Sequence, residues 1–127
     1  MPSWGSIVAV GGGAAVGAWL RWALSIVLNP IFPTIPLGTV AANLIGGLLM
    51  GFAMELVTRH TLLAPEMRLL ITTGFLGGFT TFSAFSLDAA LLWEKNAIAL
   101  MGAYVLASVG LSILGLFIGL WIVRSLT

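Results

Sequence analysis

Four long runs of apolar residues, separated by short polar or proline-rich punctuation, organise this chain. The first extends from about Trp4 to Leu28 and stops at Asn29-Pro30 and the proline-rich stretch Ile31 to Pro36. The second runs from about Leu37 to Val57, before the polar Thr58-Arg59-His60; the third from about Glu66 to Trp93; the fourth from about Ala97 to Val123, bounded by Glu94-Lys95-Asn96 and Arg124. Crossing the hydrocarbon core of a bilayer takes about 20 apolar residues, so each run is long enough to span it as a helix. Proline cannot continue a helix, which sets the first boundary. The pattern predicts an all-α membrane protein with one four-helix transmembrane domain over residues 1–127. The connections are too short to hold a soluble module. The opening residues, Met1 to Gly13, lack the Lys or Arg of a signal-peptide leader and are read as part of the first span.

The third run departs from the others. From Gly74 to Asp88 it reads GFLGGFTTFSAFSLD, with three glycines, a Thr-Thr pair, two serines and four phenylalanines. A helix that only had to sit in lipid would be leucine and isoleucine throughout. Glycine and threonine are poor helix formers, so the spiral is expected to loosen near Gly77 to Thr81. Within a bilayer, loosened backbone survives only where protein surrounds it or it lines a wet cavity. A third helix broken near mid-membrane, beside hydroxyls and aromatic rings, reads as an ion or substrate site.

Composition sharpens the class. The chain is 60% hydrophobic and 7% charged, with mean hydropathy +1.15, whereas soluble domains carry about a quarter charged residues. The absence of cysteine excludes disulfides and thiolate metal sites. A net charge of +1 without any basic cluster excludes nucleic acid as a partner. No His, Asp and Glu cluster has metal-ligand spacing and no nucleophile stands beside a base, so the chain does not read as an enzyme.

The basic residues divide almost evenly between the two sides. Arg59, Arg68 and Arg124 fall on one; Lys95 falls on the other, with Arg21 able to reach it from within the first span. Such a balance gives almost no positive-inside bias. It leaves two outcomes open: one orientation wins through other features, or both form and oppositely oriented copies pair. Pairing would supply from two chains the inverted repeat that larger transporters encode in one.

Each span also carries glycines four residues apart: Gly13 and Gly17, Gly47 and Gly51, Gly74 and Gly78, Gly115 and Gly119. These pairs let helix backbones approach closely in lipid. Four helices packed so tightly leave little room for a central pore, which places a conduit between subunits or along a groove at their contact.

Polar groups inside a span are costly, so each is a candidate. Thr39 and Asn43 share one helix face at i, i+4. The Asn43 amide can donate to an anion or hold two helices together. Tyr104, Ser108 and Ser112 form a hydroxyl stripe at i, i+4, i+8. Each serine could bond back to its own helix, yet a stripe of O–H donors without a carboxylate suits an anion path. Phe82 and Phe85 are core residues or, through their electropositive ring edges, the wall of an anion passage. Arg21, flanked by Trp19 and Trp22, is an interfacial anchor or draws anions into a vestibule. Asp88 reads as a local cap or the partner of a basic residue, and Glu55 and His60, near a span end, as solvated.

Taken together, these residues resemble the Fluc family of small bacterial fluoride channels over nearly the whole chain. The strongest element is Gly74-Phe75-x-Gly77-Gly78-x-Thr80-Thr81-Phe82-Ser83-x-Phe85-Ser86, supported by Gly17-Ala18-x-x-Arg21-Trp22 and Gly38-Thr39-x-x-x-Asn43-x-x-Gly46. Ala84 departs from the threonine frequent in the family, and Asp88 from its glutamate. The resemblance implies an antiparallel, dual-topology homodimer in the bacterial plasma (inner) membrane. It implies two pores that pass fluoride passively and in preference to chloride, relieving fluoride toxicity. It also implies a structural sodium ion at the dimer centre, held by the backbone carbonyls of Gly77 and Thr80. Phe82, Phe85 and Ser83 would then line the pores with Asn43 as a hydrogen-bonding partner, Thr39, Tyr104, Ser108 and Ser112 would form a polar track, and Arg21 would stand at the vestibule.

Two other classes compete. A four-span exporter of the small multidrug resistance kind needs an intramembrane glutamate in the first span, where Arg21 is the only ionisable side chain. A non-transporting accessory subunit would account for the glycines but leave the polar stripe and the loosened third span without a purpose.

Overall fold

In a computed structural model, which describes residues 3–32, 34–59 and 64–126, the chain is helical almost throughout. Among the described residues there is no sheet, and four helical stretches are long and apolar enough to cross a membrane: Trp4–Ile31, Leu37–Leu56, Pro65–Glu94 and Ile98–Leu126. Pro33 and His60 lie outside the described residues.

Helix α1 (Trp4–Leu28) begins at Ser3, whose hydroxyl accepts the Ser6 N–H at 3.1 Å, as an N-capping residue does. A short 3-10 turn (Asn29–Ile31) ends the span where Pro30 removes a donor. The Asn29 side chain then reaches across the connection to accept the Gly38 N–H at 2.8 Å, satisfying a donor at the start of α2 (Leu37–Arg59). The third span is assembled from α3 (Pro65–Leu69), a π-helical segment (Leu70–Leu76), the single turn α4 (Gly77–Phe79) and α5 (Ser83–Glu94). Helix α6 (Ile98–Leu126) completes the bundle. Between α5 and α6, Asn96 takes a left-handed conformation (φ 58°), while Asn96 N–H bonds to Trp93 and Ala97 N–H to Leu92. This is a Schellman ending, and asparagine tolerates its left-handed residue better than most side chains.

The glycine pairs tell which helices meet. A Cβ added at Gly13 or Gly17 would strike the backbone of Leu70, Phe75 and Phe79, and one added at Gly78 would strike Ala14. Likewise Gly47 and Gly51 face the backbone of Ser112 and Leu116, while Gly119 faces Leu48. The bundle is therefore two interlocked pairs, α1 with the third span and α2 with α6, each closed by glycines from both partners. A smaller side-chain core of Phe85, Leu92 and Tyr104 packs α5 onto α6. Much of the remaining surface is apolar: Trp4, Trp22, Leu106 and Trp121 are among many large side chains turned outward, as a lipid-facing surface requires.

Within Gly77 to Thr81, the stretch expected to loosen, Gly77 keeps helical angles (φ −62°, ψ −39°) and Thr80 is extended (φ −88°, ψ 160°). Gly74 and Gly78 are occupied with close packing against α1. Glu55, expected to be solvated, is 3% exposed and accepts a hydrogen bond from Arg124 Nε at 3.2 Å. A carboxylate on the inner face of a span is held by a charge that its own sequence neighbourhood does not reveal.

Candidate functional site

The link Thr80–Thr81–Phe82 joins α4 to α5 and is held by side chains from elsewhere in the chain. Asn43, one turn into α2, pairs with the backbone of Thr81 in both directions: its Oδ1 accepts the Thr81 N–H at 3.0 Å and its Nδ2 donates to the Thr81 carbonyl at 3.3 Å. The Thr80 hydroxyl donates back to the Leu76 carbonyl at 2.9 Å. Its methyl group lies where Gly46 has no side chain; a Cβ at Gly46 would collide with Thr80 Cγ2. Thr81 Oγ1 accepts the Ala84 N–H at 3.1 Å, in the manner of a helix N-cap, and so starts α5. From α1, Arg21 Nε donates to the Gly78 carbonyl at 3.4 Å.

An open cleft of about 460 Å³ lies over this link, bounded by Asn43, Gly46, Met50, Gly77, Thr80 to Phe82, Ser112 and Leu116. A second of about 260 Å³ continues from it, sharing Asn43, Thr81, Phe82 and Ser112 and adding Phe85 and Ser108. Phe82 stands at the mouth, 75% exposed, while Phe85 is 7% exposed. Their ring centroids are 5.6 Å apart, and Phe85 continues to Tyr104 at 5.2 Å, so three rings step from the cleft into the core. Ser108 Oγ is buried with no hydrogen-bond partner among the described residues, whereas Ser112 Oγ donates to the Ser108 carbonyl.

The cleft thus brings together Asn43, Phe82, Phe85, Ser108, Ser112, Gly77 and Thr80. Thr39 and Tyr104, both buried, lie behind Phe85 and do not line it: each donates its hydroxyl to the same oxygen, Asp88 Oδ2, at 3.1 and 3.0 Å. The hydroxyl stripe therefore ends on a carboxylate, contrary to the expectation of donors alone. Asp88 is neither a local cap nor the partner of a basic residue in these contacts. Ser83 is exposed at the first turn of α5, outside both clefts, and Arg21 approaches the link through the Gly78 carbonyl. Sequence reasoning assigned no role to Thr81 or Gly46. Their signal was present in the Thr-Thr pair and in a glycine spaced i, i+3 from Asn43. Among the described residues no group of three or more His, Asp or Glu could hold a metal, so a cation here would depend on backbone oxygens.

Chemically, the cleft offers amide and hydroxyl donors, aromatic rings and main-chain carbonyls, and its lining holds no titratable side chain to act as a base. Comparison with known proteins points the same way. A family model described as CrcB-like protein, camphor resistance, matches residues 8–120. The chain is 51% identical over 121 residues to a protein of Ralstonia nicotianae named fluoride-specific ion channel FluC, covering 94% of each chain. It is 50% identical over 119 residues to a protein of the same name from Cupriavidus pinatubonensis, again covering 94% of each. With the protein of that name from Aromatoleum aromaticum it shares 49% identity over 114 residues, 90% of this chain and 87% of the relative.

Proposed function

This chain belongs to the CrcB-like family of integral membrane proteins, a family of ion channels and not of enzymes, and on that premise we propose that it is a fluoride-selective channel in the bacterial plasma membrane. The observation that carries the proposal is the convergence of Asn43, Phe82, Phe85, Ser108 and Ser112 on one open cleft. Fluoride holds its water tightly, so a selective path must replace hydration with close donors. Asn43 keeps one Nδ2 proton beyond the one given to Thr81 and can offer it to a dehydrating anion. The Phe82 and Phe85 ring edges add positive potential without a formal charge that would trap the ion. Chloride, being larger, meets the same donors at poorer distances.

In this reading two copies pair in opposite orientations, each covering the other's open cleft, and the homodimer carries two pores. The polar groups of the open cleft beside Phe82 are poorly suited to lipid and well suited to cover by a second copy. In the same reading the link, near mid-membrane, would lie at the dimer centre with its carbonyls facing the second copy. The Gly77 and Thr80 carbonyls, whose expected helical donors are engaged elsewhere, are hard oxygen ligands suited to a sodium ion that holds the two copies together. Thr39 and Tyr104, anchored on Asp88, form the inner end of the polar track, and Arg21 stands at the vestibule side of the link. Hydrogen fluoride enters cells as a neutral weak acid and ionises inside; a passive path for the anion, driven outward by an inside-negative potential, relieves the accumulation without ATP.

Liposomes reconstituted with the protein and followed with a fluoride electrode test the reading. Fluoride efflux should be fast with chloride retained, and chloride passing as readily as fluoride would reject it.

A further inference from the structure

A helix continued without interruption through residues 77–84 would give the Gly77 carbonyl the Thr81 N–H, the Gly78 carbonyl the Phe82 N–H and the Thr80 carbonyl the Ala84 N–H. In this chain three side chains intervene. Asn43 Oδ1 takes the Thr81 N–H at 3.0 Å, Thr81 Oγ1 takes the Ala84 N–H at 3.1 Å, and Arg21 Nε occupies the Gly78 carbonyl at 3.4 Å. Two carbonyls lose their helical donors while the one between them is engaged by a cation of the protein itself.

We propose that Asn43, Thr81 and Arg21 are positioning residues that decide which carbonyls of the link are offered to a monovalent cation. Gly77 and Thr80 are exposed for coordination and Gly78 is withheld. The inference rests on the reading that sodium sits at this link, and goes beyond it by assigning the selection of ligands to three side chains that do not touch the ion. A helix C-terminal carbonyl without a donor carries partial negative charge and is costly in apolar surroundings, so a bound cation stabilises it. Arg21 acts in the opposite sense: its guanidinium, always charged, fills one carbonyl and raises the positive potential beside the others. The arrangement is stiff, because Thr80 is held by its own hydroxyl to Leu76 and by its methyl against Gly46. Asn43 is shared between the link and the anion cleft, so cation binding and anion passage are coupled through one side chain.

The test measures sodium and fluoride separately on the full-length protein. Sodium affinity is read from the sodium dependence of the thermal unfolding midpoint in detergent, with bound sodium counted by elemental analysis; fluoride flux is read in liposomes. Thr81→Val removes the hydroxyl acceptor at nearly constant volume and leaves the Ala84 N–H unpaired at the start of α5, loosening the link, so sodium affinity should fall about tenfold, while Thr81→Ser retains it within about twofold. Arg21→Met frees the Gly78 carbonyl and removes a like charge, so sodium should bind about threefold more tightly. Phe82→Ile should slow flux about tenfold with sodium binding intact. Sodium affinity unchanged in both Thr81→Val and Arg21→Met, or lost equally in Thr81→Ser and Thr81→Val, overturns the proposal. So does a wild-type protein that conducts fluoride without binding sodium. Absence of fluoride flux in the wild type would instead reject the channel reading, whatever the sodium titration shows.

Discussion

The two helix pairs are closed by the same device and end with different backbones. Where α2 meets α6, glycines at 47, 51, 115 and 119 bring two helices together and both run on as uninterrupted α-helices. Where α1 meets the third span, Gly13, Gly17, Gly74 and Gly78 do the same, yet that span passes through a π-helical segment and leaves the helix at Thr80. Glycine thus sets how near two helices lie and not whether either is interrupted. The interruption is held from across the bundle, by Asn43 of α2, and the cleft opens along the seam where one pair faces the other. The interruption lies in one pair, while the cleft's polar donors Asn43, Ser108 and Ser112 come from the other.

The comparison is broken most severely by filling the glycine contacts. Gly17→Val and Gly119→Val should each cost about 3 kcal/mol or more, because backbone atoms cannot move aside for the new side chain. Gly110→Ala, with open space around it, should be indistinguishable from wild type. Size-exclusion profiles and thermal unfolding check this; a monodisperse Gly17→Val protein of ordinary stability would mean the close approach is not required. Next comes Asn43→Leu, which should remove two hydrogen bonds from the link, about 2 kcal/mol in all, and abolish fluoride flux. The two helix pairs should stay assembled, so helical content by circular dichroism remains that of wild type; loss of that content would make Asn43 general glue.

The aromatic rings sharpen the contrast within the cleft. Phe82→Ile should slow flux about tenfold with unchanged stability, because the ring is exposed at the mouth. Phe85→Ile should slow flux and also cost about 1 kcal/mol, because that ring is packed on Tyr104. Unchanged flux in both variants would reduce them to packing residues. The smallest effect on flux is expected away from the cleft, in the α2–α6 pair. Arg124→Gln keeps a donor but takes the counter-charge from the buried Glu55 carboxylate, so stability should fall by about 3 kcal/mol with flux unaffected. A loss of flux there would show that the α2 and α6 ends communicate with the cleft.

Much of the architecture was legible in the chain because the governing quantity is local. Apolar length and proline breaks report four spans, and glycines four residues apart report close packing. The cleft residues Asn43, Phe82, Phe85, Ser108 and Ser112 stood out because polar and aromatic groups at helical spacing within a span are costly without a purpose. What escaped was partnership. Asp88 offered no sign that it would accept hydroxyls from Thr39 and Tyr104, which lie 49 and 16 residues away in sequence. Glu55 was misread for the same reason, its arginine being 69 residues distant.

Alone, the sequence determined that this protein is a four-span helical membrane protein of the CrcB-like family, because hydrophobic runs and motif spacing are properties of neighbouring residues. Which glycine rows interlock, why Thr80 rather than a glycine leaves the helix, and where Arg21, Asn43 and Asp88 find their partners were decided only by the tertiary structure. The physical reason is that a polar group shielded from water must be satisfied, and within packed helices the partner is whatever the fold brings alongside, however far away it lies in the chain.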